Sequence, residues 1–132
     1  MRFTPCSSMS STATLPDLAD SGAALHWRAL ERLYAQAPIN RLFESEIEIA
    51  GEGLARIRFR VDESVYHAAG AAHGTIYFKM LDDAAFYAAN TMVTDRFLLT
   101  TSFNMHFIRP VRSGMLTAEG RWTSGRRRVL VA

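Results

Sequence analysis

His67-Ala68-Ala69-Gly70-Ala71-Ala72-His73-Gly74-Thr75-Ile76-Tyr77-Phe78-Lys79-Met80-Leu81-Asp82-Asp83 joins a His-Gly turn to an apolar helix that carries two carboxylates two turns inside it. Helix is predicted from Gly74 to about Met92 by the Ala content, and its apolar residues surround the axis instead of forming one stripe. Such a helix has to be enclosed by other elements. Ionised carboxylates among Phe78, Leu81, Ala84, Ala85 and Phe86 are costly to bury without a partner, so a carboxyl kept there is a candidate for chemistry. The backbone N–H groups of the first turn, from about Gly74 to Tyr77, lack intrahelical acceptors and carry the positive end of the helix dipole. They suit a developing oxyanion.

Working outward, Ile47 and Ile49 alternate with Glu46 and Glu48, Gly51-Glu52-Gly53 supplies a turn, and Ile57, Phe59 and Val61 alternate with Arg56, Arg58 and Arg60. This predicts a hairpin with one dry face and cross-strand ion pairs between the arginines and glutamates on the other. Before it, Ala23 to Ala37 brings Trp27, Leu30, Leu33 and Tyr34 to one helical face, with Asp20-Ser21 as the N-cap and Pro38 as the stop. After the central helix, Thr101, Phe103, Met105 and Phe107 alternate with Ser102, Asn104, His106 and Ile108 up to Arg109-Pro110, predicting a strand. Met115 to Trp122, a turn at Thr123-Ser124-Gly125, and Arg126 to Ala132 predict two more. The chain ends inside the apolar strand Val129-Leu130-Val131-Ala132, which is expected to be incomplete there. The class is α+β: a curved antiparallel sheet wrapped around one long helix, preceded by an amphipathic helix.

At 132 residues the chain accommodates a single domain, expected over 17–132 behind a flexible leader of residues 1–16 rich in Ser and Thr. No apolar run approaches the roughly 20 residues of a membrane helix, so no membrane partner is expected. The lone Cys6 excludes an internal disulfide and a CxxC metal site and fits a cytoplasmic setting. Fifteen basic against thirteen acidic residues leave +2, too little for a general nucleic-acid binder. Fourteen of the basic residues are Arg, and three stand together as Arg126-Arg127-Arg128, a local phosphate contact or a solvated strand start. They are expected to alternate across a strand. His26, His67, His73 and His106 show no metal spacing, and neither metal nor cofactor is expected.

With this helix, sheet and His-Gly start, the chain resembles the hotdog-fold PaaI-like acyl-CoA thioesterases over about residues 45–132. The sharpest part is His73-Gly74 with a carboxylate nine positions on. In the family's pattern an Asn precedes that His by six residues with a Gly between, and here those positions hold His67 and Gly70. A second Gly usually follows, and here Thr75 does. The resemblance implies Asp82 as nucleophile or general base, Gly74 N–H as oxyanion donor beside His73, Thr100 as holder of the attacking water, and His67 in the Asn position. It implies an acyl-CoA substrate, Phe78 and Phe86 near the acyl group, Arg126, Arg127 or Arg128 on the coenzyme A phosphates, and a homodimer or dimer of dimers with shared sites. A non-catalytic acyl-CoA binding or regulatory hotdog domain and a hotdog hydratase or dehydratase are the alternatives. Asp82 and Asp83 are about 100° apart on a helix, so one faces a given pocket while the other is free to pair with Lys79.

Overall fold

The computed structural model describes residues 22–132; the leader, Cys6 and the Asp20-Ser21 cap lie outside the described residues. Helix α1 runs Gly22–Gln36 and a 3-10 turn Pro38–Arg41 follows it. Strands β1 (Ser45–Gly51) and β2 (Leu54–Val61) form the hairpin, α2 spans Gly74–Asn90, and β3 (Gly114–Arg121) completes the three-stranded antiparallel sheet in the order β1-β2-β3. Two short strands, β4 (Ser124–Arg126) and β5 (Val129–Val131), pair as a separate ribbon.

The period-two pattern of β2 decides the sheet's inner face. Ala55, Ile57, Phe59 and Val61 are buried, while Arg58 and Arg60 between them point to water. Against that face α2 sets Ile76, Met80, Ala84 and Ala88, four residues apart and all buried. The close approach has a local cause at Gly120: a Cβ there would lie 2.0 Å from the Ala84 carbonyl oxygen, so only glycine lets the helix backbone touch β3. Helix α1 closes the other end with buried Leu30 and Tyr34, and its Glu31 carboxylate accepts the Ile49 N–H at 2.8 Å. Leu33, expected on that buried face, is 49% exposed.

Asn90, buried at the last turn of α2, holds three pieces of chain together. Its Nδ2 donates to Phe86 O (2.8 Å), its Oδ1 accepts from Leu98 N–H (3.2 Å), and its carbonyl lies 2.9 Å from His26 Nε2 on α1. A buried amide whose nitrogen and oxygen both have partners is stable where an unpaired one would not be.

Three sequence expectations are corrected. Residues 101–108 form no strand: Phe103 and Met105 are half-buried between exposed neighbours, but among the described residues no ladder partner lies beside them. Alternation reports an extended, two-faced segment, whereas a strand also needs a neighbour with a free edge. The turn expected at Thr123-Ser124-Gly125 falls instead at Arg127-Arg128, because Ser124–Arg126 pairs with Val129–Val131. Arg126, Arg127 and Arg128 therefore stand at a hairpin tip, all exposed, and do not alternate along one strand. Third, the hairpin's ion pairs are only partly those expected. Arg58 meets Glu46 at 3.6 Å, but Arg56 turns to Glu119 on β3 at 2.9 Å, and Arg60 stands opposite Met115.

No helix among the described residues is long and apolar enough to cross a membrane.

Candidate active site

Residues 63–73 prepare the start of α2. A 3-10 turn over Glu63–Val65 is capped by Asp62, whose carboxylate accepts the Ser64 N–H at 2.8 Å, and Tyr66 and Ala72 form an isolated bridge. Between them His67 and Gly70 make a tight loop: His67 N–H donates to Ala71 O, and Gly70 N–H to His67 O, both at 2.9 Å. Gly70 sits at φ +75, a conformation that strains any other L residue, and the Arg112 guanidinium donates to its carbonyl at 2.8 Å. The His67 ring is half-buried, and Nδ1 accepts the Ala69 N–H at 3.0 Å. In the neutral ring the proton is thereby placed on Nε2, which remains a donor.

His73 is the N-cap of α2. Its Nδ1 accepts the Thr75 N–H at 3.1 Å and lies 3.0 Å from Thr75 Oγ1. This ties up the imidazole in supporting the turn. Gly74 N–H, the first of the helix, has no acceptor among the described residues. A Cβ on Gly74 would sit 3.1 Å from the Phe107 ring, so the glycine leaves room for that exposed ring to lie over the turn.

Two turns along, the carboxylates diverge. Asp83 forms an ion pair with Lys79, and Lys79 Nζ also donates to Asn40 Oδ1 at 2.7 Å and lies over the rings of Tyr34 and Phe43. Burial holds the Asp83 carboxyl above its ordinary value even with the ammonium beside it, and burial likewise pushes the Tyr34 and Tyr87 hydroxyls up to about 12. Asp82 has a different partner. Thr100 Oγ1 donates to Asp82 Oδ1 at 2.9 Å, and Oδ2 has no partner among the described residues.

The pair stands on the wall of a cavity of about 270 Å³ lined also by Phe86, Leu98, Phe103, Arg128 and the residues of β5. Phe78, 43% exposed, packs edge-on against Phe103 at 5.1 Å. The structure therefore brings Asp82, Thr100, Phe86 and Arg128 together. His67, Gly70, His73, Gly74 and Thr75 form a second group at the helix start, and Asp82 is eight residues, about 12 Å, further along the axis. Arg126 and Arg127 are at the ribbon tip outside the cavity. Leu98, Leu99, Thr101 and Ser102 are cavity residues that sequence reading did not single out; the cue was a short Leu-Leu-Thr-Thr-Ser run that begins eight residues past the end of the helix. Among the described residues no group of His, Cys, Asp and Glu is placed to hold a metal ion.

Residues 69–132 match the family model described as the thioesterase superfamily. A protein described as an esterase from Saccharolobus solfataricus is 28% identical over 102 residues, which is 77% of this chain and 68% of the relative. Among solved structures, a thioesterase family protein from Silicibacter pomeroyi superposes with a TM-score of 0.71 at 21% identity, covering 80% of this chain and 76% of that one. The E. coli PaaI protein from the phenylacetic acid degradation operon gives a TM-score of 0.70 at 22% identity, covering 81% and 77%. These matches bear out the likeness to PaaI-like thioesterases and the helix-on-sheet architecture, and the superfamily model and the esterase relative support thioester hydrolysis in general. The chain has the hotdog fold, and its residues 69–132 are similar to the thioesterase superfamily.

Proposed function

We propose that this chain hydrolyses acyl-CoA thioesters to the free acid and coenzyme A, in the cytoplasm, as a homodimer or dimer of dimers whose sites are shared between subunits. The observation that carries the reading is the Asp82–Thr100 pair, a half-buried carboxylate whose orientation is fixed through one oxygen while the other is free. In this mechanism Asp82 Oδ2 takes a proton from water as the water oxygen bonds to the thioester carbon. The carbonyl oxygen, gaining negative charge, accepts from Gly74 N–H at a helix start. The tetrahedral intermediate collapses with cleavage of the C–S bond, and the proton held on Asp82 neutralises the departing thiolate. Thr100 fixes the angle of the carboxylate, and His67, through its free Nε2–H, supports the water or the carbonyl.

The separation of about 12 Å along α2 supports a shared site, because one carbonyl cannot touch Asp82 and Gly74 N–H of the same helix. Arg128 at the cavity rim, with Arg126 and Arg127 beyond, suits the coenzyme A phosphates.

Release of free thiol from a panel of acyl-CoAs tests the reading. Asp82→Asn should abolish release and Asp83→Asn should leave most of it. Thr100→Val should lower kcat/KM about 10- to 150-fold, the equivalent of a hydrogen bond to a charged group. Mixing Asp82→Asn protein with a Gly74→Pro variant should restore part of the activity in mixed oligomers. An active parent with a fully active Asp82→Asn variant refutes the assignment, and a parent that releases no thiol from any acyl-CoA refutes the function.

A further inference from the structure

Asp82 and Thr100 belong to two cavities at once. On the far side of the pair from the β4–β5 ribbon is a second space of about 400 Å³, between the end of α1, the 3-10 turn and α2. A thioester held at Asp82 has two arms, the acyl group and the pantetheine chain, so the two spaces must divide them.

Their linings differ in what they offer. The ribbon-side cavity also has apolar lining in Leu98, Phe103 and β5, but it adds Thr100, Thr101, Ser102 and Arg128, and among the described residues β5 pairs only with β4, so its other edge keeps peptide groups for a ligand amide. In the helix-side cavity the apolar lining of its own is Leu33, Ile39 and Phe97, and Phe86 and Leu99 are shared between the two cavities. Beyond the shared Asp82–Thr100 pair, its charged and amide residues are spent on one another: Lys79 pairs with Asp83 and donates to Asn40 Oδ1, and Asn40 Nδ2 donates to Tyr34 O at 2.7 Å. A polar arm there would lose its water with few groups to replace it, whereas a hydrocarbon loses nothing. Leu33, Ile39 and Phe97 are about half exposed, apolar surface that a chain would cover.

Resting on the thioester hydrolysis proposed above, we infer that the helix-side cavity takes the acyl group as a saturated aliphatic chain, and the ribbon-side cavity takes the pantetheine arm. The Asn40–Lys79–Asp83 cluster sets the limit of chain length, because methylenes pushed onto it would have to break a satisfied ion pair.

The test is titration calorimetry of straight-chain acyl-CoAs into Asp82→Asn protein, which binds without turnover. Affinity should rise with each added methylene, by up to about fourfold, and then level off. Ile39→Trp, and independently Leu33→Trp, should lower the ratio of decanoyl-CoA to butyryl-CoA affinity at least tenfold by filling the helix-side space. Both positions are about half exposed, so either variant has room to fold. Ser102→Trp should weaken both ligands alike and leave the ratio unchanged. A ratio that responds to Ser102→Trp and not to Ile39→Trp or Leu33→Trp reverses the assignment, and an affinity indifferent to chain length overturns it. If the binding pattern appears but the parent releases no thiol from any acyl-CoA, the division of the cavities stands and the hydrolytic reading falls.

Discussion

Replacing Lys79 by Met isolates the cost of a carboxylate left alone inside this domain. The Lys79 and Asp83 side chains are 15% and 19% exposed, so the pair is largely cut off from water. Methionine keeps most of the stem's packing and removes the charge, the bond to Asn40 Oδ1, and the contacts over Tyr34 and Phe43 at 5.4 and 5.5 Å. Removing one partner of a fully buried pair costs about 3–5 kcal/mol. Residual solvent contact lowers that and the lost ring contacts add to it, so about 2–4 kcal/mol is expected at pH 7.5. The cost must also depend on pH. Burial already raises Asp83 above its unfolded value of 3.8, and the ammonium is what opposes that rise. Without it the folded pKa climbs further. A carboxyl with a raised folded pKa binds its proton more readily when folded, so stability is gained as pH falls through the folded pKa towards 3.8. The variant therefore regains stability from a higher pH than the parent does, and its deficit shrinks towards pH 5. Urea unfolding at fixed protein concentration, at pH 7.5 and 5, measures this, and adding Asp83→Leu to Lys79→Met should recover at least half of the loss. A deficit below about 1 kcal/mol at pH 7.5, below the buried-pair range, or one that does not change with pH, would refute the account.

Gly120→Ala should cost about 3 kcal/mol, at the upper end for overpacking, because its Cβ meets helix backbone at 2.0 Å and not a movable side chain; Gly51→Ala, whose Cβ would meet nothing within 4 Å, should change thermal stability little. Arg128→Ala should raise KM for acyl-CoA about fivefold at low salt, the size of one surface charge contact, with the effect fading as salt is added. Arg127→Ala should do less, since Arg127 lies outside the cavity; steady-state kinetics at two ionic strengths that found the reverse order would move the phosphate contact to the tip of the ribbon.

Features set by near neighbours in sequence were legible from the residues themselves. The hairpin and α2 follow from periods of two and from the His-Gly start, and the Lys79–Asp83 pair from its i, i+4 spacing. The ribbon turn was misplaced because Gly125 advertises a turn, whereas the residue in the left-handed region at the real one is Arg127, at φ 62. No residue preference points to Arg in that conformation. The role of Gly120 was invisible, since nothing local states which backbone will approach it. Asp82 could be picked out by its place on the helix, but its partner Thr100 is 18 residues away across an irregular segment. Only the resemblance linked them. Asn40 against Lys79, 39 residues apart, had no local signal at all.

Thr100 lies in an exposed stretch without a ladder, a poor place from which to aim a hydroxyl. Its anchorage comes from elsewhere. The chain leaves α2 at Asn90, and that buried amide catches it again at Leu98 N–H, two residues before Thr100. The hydroxyl thus takes part of its anchorage from the helix end, and drawing the backbone of this segment away from Asp82 strains an amide two helical turns away. An adjustment to the timing of the site could therefore be made at Asn90, or at His26 behind it, without touching any group that meets the substrate.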